Sequence, residues 1–235
     1  MLNDKEEIKI WLDSMKIENY TINDDFTVDV DDDVNLTYKK LTNIPVQFGV
    51  IKGYFACNDN QLTNLQGGPQ SVLGNFYCSS NKLITLEGGP ESVEGNFSCY
   101  KNQLINLQGG PQSVGGNFSC YKNSLTSLEG IPKAIWGDFN CSFNVLISLQ
   151  DSPKSVGGHF VCNGNPIRDL NDFNCKLSGI FYHGGTVIEM FSEFYIEGEL
   201  KLTYKDIENI KLNNKLNNII KDKTANINTI NKNKL

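Results

Sequence analysis

Cysteine is the residue type in this chain with the most chemistry to offer, and it recurs at a fixed step. Cys57, Cys78, Cys99, Cys120, Cys141 and Cys162 follow one another every 21 residues, and Cys175 alone lies off that register. A nucleophilic thiol needs a base and an orienting group within hydrogen-bond reach. With two histidines in the chain, Cys175, His183 and Asp172 are the only trio that offers one, and no glycine-rich phosphate motif accompanies it. We therefore read the protein as non-enzymatic. A zinc site needs ligands that converge on a point, whereas a constant step spreads thiols along a line. Neighbouring repeats lie ~4.8 Å apart, inside the Cα window of a disulfide. Side chains stacked in register point the same way, however, and the expected compartment is reducing, so the reading is a ladder of free, buried thiols acting as small hydrophobes. Asp29, Asp31, Asp32 and Asp33 resemble the oxygen donors of a calcium loop, but Val34 and Lys40 stand where such a loop places Gly and Glu. A solvated acidic turn is expected there, with no metal and no cofactor.

The elements that position these residues share the same step. Gly53 through Gly158, Phe55 through Phe160, Asn60 through Asn165 and Leu65 through Leu170 each recur every 21 residues. A fixed period of this size marks a solenoid, in which each unit buries its apolar face only by stacking on its neighbours. Phe76 and Cys78, two apart, share one side of a short strand, which leaves Asn75 and Tyr77 on the other. Leu83 and Leu86 follow at turn spacing, Gly67-Gly68-Pro69 reverses the chain, and Val72 leads back to the next strand. Each inward asparagine is expected to satisfy backbone groups at the bend after its strand.

Read as F-x-C-x-x-N-x-L-x-x-L over residues 35 to 170, the unit resembles the leucine-rich repeat, with Phe and Cys where that family has strand leucines. Its short period and Gly-Pro turn look most like the compact bacterial-type repeat of secreted effectors, and its wording is similar to uncharacterised repeat proteins of tailed phages and giant viruses. The resemblance implies a β-rich solenoid of about six to seven 21-residue rungs with a parallel sheet, whose strand face is the ligand surface.

Four segments are expected: a helix and hairpin cap over 1–33, the solenoid over 34–170, a β-rich cap over 171–203, and a helix with a disordered polar tail over 204–235. Asp4 can cap a helix over 4–16, whose Ile8, Trp11, Leu12 and Met15 form an apolar stripe suited to covering the open first rung. Tyr20 to Ile22 and Phe26 to Val30 read as a hairpin, and Val34 and Leu36 begin a degenerate first rung. Past Leu170 the grid is expected to break. Thr186 to Met190, Phe194 to Ile196 and Leu200 to Thr203 read as strands.

The net charge of −6 and 39% hydrophobic content suit a soluble, elongated domain. No apolar run approaches the ~18 residues of a membrane span, and the charged start lacks the apolar core of a secretory signal, so the expected location is cytoplasmic. The basic end has eight lysines against three acids over 201–235 but no interleaved aromatics, so no nucleic-acid partner is expected.

Function is sought where the units stop agreeing. The outward set is Tyr54, Tyr77, Tyr100, Lys101, Tyr121, Lys122, Phe143 and His159, beside Ser98, Ser119, Asn140 and Val161. Tyrosines on a polar face are the composition of a protein-binding surface, and the four tyrosines are expected to form one strip of ~15 Å. The expected function is binding of another protein through the strand face. The alternative is a structural or carbohydrate-binding module, in which the same rings stack on sugars.

Overall fold

Two short strands per unit, rather than one, build the protein. In the unit of Cys99 these are Ser92–Val93 and Phe97–Ser98, joined through a corner at Gly95 and Asn96. Equivalent strands pair in parallel at a shift of one unit, so that Val93 faces Val72 and Val114, and Phe97 faces Phe76 and Phe118. The computed structural model describes residues 1–168, 170, 172–184, 199–203, 209, 212 and 213. Over these the chain is a β-solenoid of about seven turns, with two nine-stranded sheets running its length. The sheet of Ser-Val strands adds to the one expected. Two-residue strands are too short to show alternation, so in the sequence Val72 reads only as a return segment.

The corner between the sheets is where glycine is required. Successive units touch backbone to backbone there, the Gly95 amide donating to Gly74 O at 3.0 Å. A methyl group on Gly95 would lie 2.5 Å from Asn75 Oδ1 and 2.7 Å from Gly74 O, closer than real Cβ contacts come. A second glycine column turns the chain at positive φ, as at Gly88 (83°) and Gly109 (78°).

Inside, the phenylalanine, cysteine, leucine and valine columns are buried together. Phe76 stacks on Phe55 and Phe97 at centroid distances of 5.5 and 5.3 Å. All seven cysteines are free and buried. Burial holds the Cys57 and Cys175 thiols at about 12 and pushes the other five above their ordinary value, so the thiols stay protonated. The inward asparagines tie units together as expected. Asn102 Nδ2 donates to Cys99 O at 3.0 Å and to Cys78 O of the preceding unit at 3.1 Å, while its Oδ1 accepts from Leu83 N at 3.1 Å.

The N-terminal helix spans Lys5–Met15 and begins where Asp4 accepts from the amides of Glu6 and Glu7, both at 3.0 Å. Ile8 and Leu12 are fully buried on the first turn of the coil, and Trp11 meets Phe48 at 6.3 Å. The hairpin Tyr20–Ile22 with Thr27–Val30 is present, and its second strand pairs in parallel with Gln47–Ile51. The hairpin therefore opens the first sheet rather than standing apart from it. The acidic run is more than a solvated turn. Asp29 Oδ1 accepts from Val50 N at 2.7 Å, Asp33 Oδ1 accepts from Tyr54 N at 2.8 Å, and Asp31 pairs with Lys52 at 2.8 Å.

At the other end the grid does not break at Leu170. Lys176–Leu177 pairs with Ser155–Val156, and Ile180–Gly184 pairs with Phe160–Val161, with Phe181 in the phenylalanine column and His183 in the cysteine column. The substitution of His for Cys hid this turn from a reading keyed to cysteine. Glu199–Thr203 closes the second sheet antiparallel to Ile180–Gly184. The strands expected at 186–190 and 194–196 and the disordered tail lie outside the described residues. Of the helix expected over 204–220, Asn209, Leu212 and Asn213 are described and helical.

Candidate functional site

The residues singled out from sequence occupy different columns of the repeat, and only some of them meet. Tyr54 and His159 stand at the corner before the second strand, Tyr77 on the strand, Tyr100 and Tyr121 just after it, and Lys101, Lys122 and Phe143 one residue further on. Tyr100 and Tyr121 stack at 4.6 Å with planes 14° apart. Lys101 lies 5.9 Å from the Tyr100 centroid, and Lys122 lies 5.9 Å from both Tyr121 and Phe143. The strip of four tyrosines is thus a pair extended by two lysines and a phenylalanine. Among the described residues, Tyr54 and Tyr77 share no ring contact with it.

His159 has a structural task. Along the corner each side chain accepts the next unit's amide: Asn75 from Asn96 N, Asn96 from Asn117 N, Asn117 from Asp138 N and Asp138 from His159 N, at 2.7 to 2.8 Å. His159 continues this ladder, its Nδ1 accepting from Ile180 N at 2.9 Å, so its proton sits on Nε2. His159→Asn supplies the acceptor of the other units and is expected to leave stability unchanged. His159→Leu orphans the Ile180 amide and is expected to cost about 1–2 kcal/mol in urea denaturation. Equal stability of the two variants would remove the bond's role.

Past the second strand the exposure of side chains alternates. Lys101, Gln103 and Ile105 are exposed while Asn102 and Leu104 between them are buried, and Phe143, Val145 and Ile147 repeat the pattern around Asn144 and Leu146. Backbone bonds hold this flank in register, with Gln103 N on Leu83 O at 2.9 Å and Val145 N on Leu125 O at 3.1 Å. Phe143, Val145 and Ile147 are 57%, 49% and 53% exposed, and Ile84 and Ile105 continue the Ile147 column on other units. Sequence reasoning missed these aliphatics; the signal was an apolar first variable residue of L-x-x-L at Ile84, Ile105 and Ile147, and an apolar residue within N-x-L at Val145. Lys101, Lys122 and Phe143 also have φ of 53–54°, in a column that among the described residues becomes glycine only at Gly164. A non-glycine residue there costs about 1–2 kcal/mol, so these side chains are carried against a backbone preference.

The strand face itself is less open than expected. Ser98 is only 9% exposed, its Oγ 3.0 Å from Ser79 Oγ, which also donates to Ser98 O at 3.2 Å. Trp136, unremarked in the sequence, is 79% exposed beside the first sheet, with Gly115 and Gly157 at the equivalent positions of the adjoining units.

The geometry does not assemble the Cys175, His183 and Asp172 trio. His183 Nδ1 lies 3.8 Å from Cys162 Sγ, Cys175 Sγ is directed at Lys176 O at 3.6 Å, and Asp172 is exposed. His183 is buried, which lowers its pKa and keeps the ring neutral. Among the described residues no cluster of His, Cys, Asp or Glu could hold a metal ion, and no helix is long and apolar enough to cross a membrane. Comparison with known proteins finds no matching family model, curated protein or solved structure.

Proposed function

We propose that the solenoid is a non-catalytic, cytoplasmic binding module that captures another protein on the flank just past its second sheet. The observation that supports this reading most is the contiguity of Tyr100, Tyr121, Lys122, Phe143, Val145 and Ile147 on an otherwise polar surface. Such aromatic and aliphatic anchors bring large contact area at low entropic cost and dominate binding energy where they are enclosed by a partner. Kinship with leucine-rich repeats of bacterial effectors and with repeat proteins of phages and giant viruses is part of the same proposal. It rests on the wording of the repeat, with the ligand surface moved from the strand to its flank.

Capture from a cell lysate on immobilised protein tests the reading. The Tyr100→Ala, Tyr121→Ala double variant is expected to melt within a few degrees of the wild type. It should bind each captured partner at least about thirtyfold more weakly, as loss of a hot-spot anchor of ~2 kcal/mol implies. Full retention by a well-folded double variant would overturn the assignment. A carbohydrate-binding reading draws on Trp136, an exposed indole with glycine at the equivalent position of both adjoining units, which suits a stacking platform. A glycan array probed with wild type and Trp136→Ala separates it from protein capture.

A further inference from the structure

Resting on the protein-binding reading above, we propose that the flank takes an extended acidic peptide segment whose carboxylates alternate with apolar side chains. Charge is the first ground. The stretches 77–85, 98–106, 119–127 and 140–148 contain Lys82, Lys101 and Lys122 and not one Asp or Glu, in a chain whose net charge is −6. The acids of these units begin past the second leucine, as at Glu87 and Glu129, and Glu129 is engaged by Gln108 Nε2 at 2.8 Å. Among the described residues Lys101 and Lys122 form no ion pair, so their charges are open to a partner.

The apolar content of the flank selects the kind of anion. Phe143, Val145 and Ile147 on one unit, with Ile105 and Ile84 in the same column as Ile147, present aliphatic surface on the same flank as the two lysines, with Phe143 itself 5.9 Å from Lys122. A nucleic-acid strand meets such a surface with phosphates and sugars, which gain nothing from aliphatic contact, and the flank has no arginine for bidentate phosphate recognition. The Tyr100 and Tyr121 rings already stack on each other, which takes one face of each away from a base. A peptide with apolar residues between carboxylates matches both components.

Backbone pairing is not the mode of attachment. The amides of Gln103, Ser124, Thr126 and Val145 are all bonded to the preceding unit, so recognition is by side chains rather than by adding a strand. A segment running along the axis meets Lys101, Lys122 and Phe143 in turn over ~10 Å, the span of about three extended residues. It therefore places two acids and an apolar residue within a window of about four.

A random dodecamer peptide library displayed on phage and panned against the full chain provides the test, with the Lys101→Glu, Lys122→Glu and the Val145→Ser, Ile147→Ser variants panned in parallel. The expected selection is enriched in Asp and Glu spaced by apolar residues. The synthesised consensus peptide should bind at least about tenfold more weakly to each variant and lose affinity steeply with added salt. Unchanged melting temperatures establish that the exposed substitutions leave the fold intact. Enrichment of peptides without an acidic bias would overturn the partner class while leaving protein binding in place. A library that yields no binder would overturn the peptide-segment proposal, and displacement of a selected peptide by oligo(dT) would overturn it in favour of a nucleic acid.

Discussion

Raising the pH above about 9 is expected to unfold the coil cooperatively even in the presence of reductant. An unfolded thiol ionises near ~8.5, whereas in the coil Cys57 and Cys175 are held at about 12 and the other five are raised by burial. A raised folded-state value means that the stabilisation is fully present below ~8.5 and is lost as pH climbs towards the folded values. Each thiol then contributes a slope of about 1.4 kcal/mol per pH unit. With seven of them the limiting slope approaches ~10 kcal/mol per pH unit, comparable to the whole stability of an ordinary domain. Urea denaturation at a series of pH values reads this directly. Cys99→Ala should lower the limiting slope by one thiol's share, and a midpoint that stays flat to pH 10.5 would refute the protonated ladder.

Phe97→Ala is expected to destabilise by about 3–5 kcal/mol, the usual cost of emptying a phenylalanine site that cannot collapse. Its ring lies 5.3 Å from Phe76 and 4.9 Å from Phe118, so the hole would be bounded by turns on both sides. Those turns are held apart by backbone bonds such as Phe97 N to Asn117 O at 2.9 Å, which oppose closure of the gap. A loss below ~1 kcal/mol would mean that the turns slide together and that the ring column does not set their spacing.

What the sequence made legible was the part fixed by translation. Phe, Cys, Asn and Leu repeat because an identical neighbour lies above and below each, and their burial follows from the pattern alone. The second sheet escaped because Ser71–Val72 and its equivalents are only two residues long. The turn at Ile180–Gly184 escaped because His183 takes the cysteine's place. The candidate site was half legible. Lys101, Lys122 and Phe143 belong to the outward set read from sequence, whereas Val145 and Ile147, which flank the core residue Leu146, do not. Only the alternation of buried and exposed positions separates them. His159 had the appearance of a variable surface residue, yet it is the last acceptor of a ladder that starts at Asn75, since a ring nitrogen and an amide oxygen do the same work there.

The corner glycines and the two acceptor ladders also make the chain's length a quantity that changes in whole steps. Gly95 N reaches Gly74 O, Asn96 N reaches Asn75 Oδ1, and both bonds span 21 residues. Excision of any 21 consecutive residues from the middle of the coil leaves every remaining donor opposite an equivalent acceptor, with both ends unchanged. Removal of one residue fewer sets phenylalanine against the serine position and methylene-bearing residues against the corner where only glycine fits. A chain of this kind gains or loses one 21-residue unit without losing the register of its coil. The protein is in that sense a ruler graduated at ~4.8 Å, and the number of graduations between its two ends is free for selection to set.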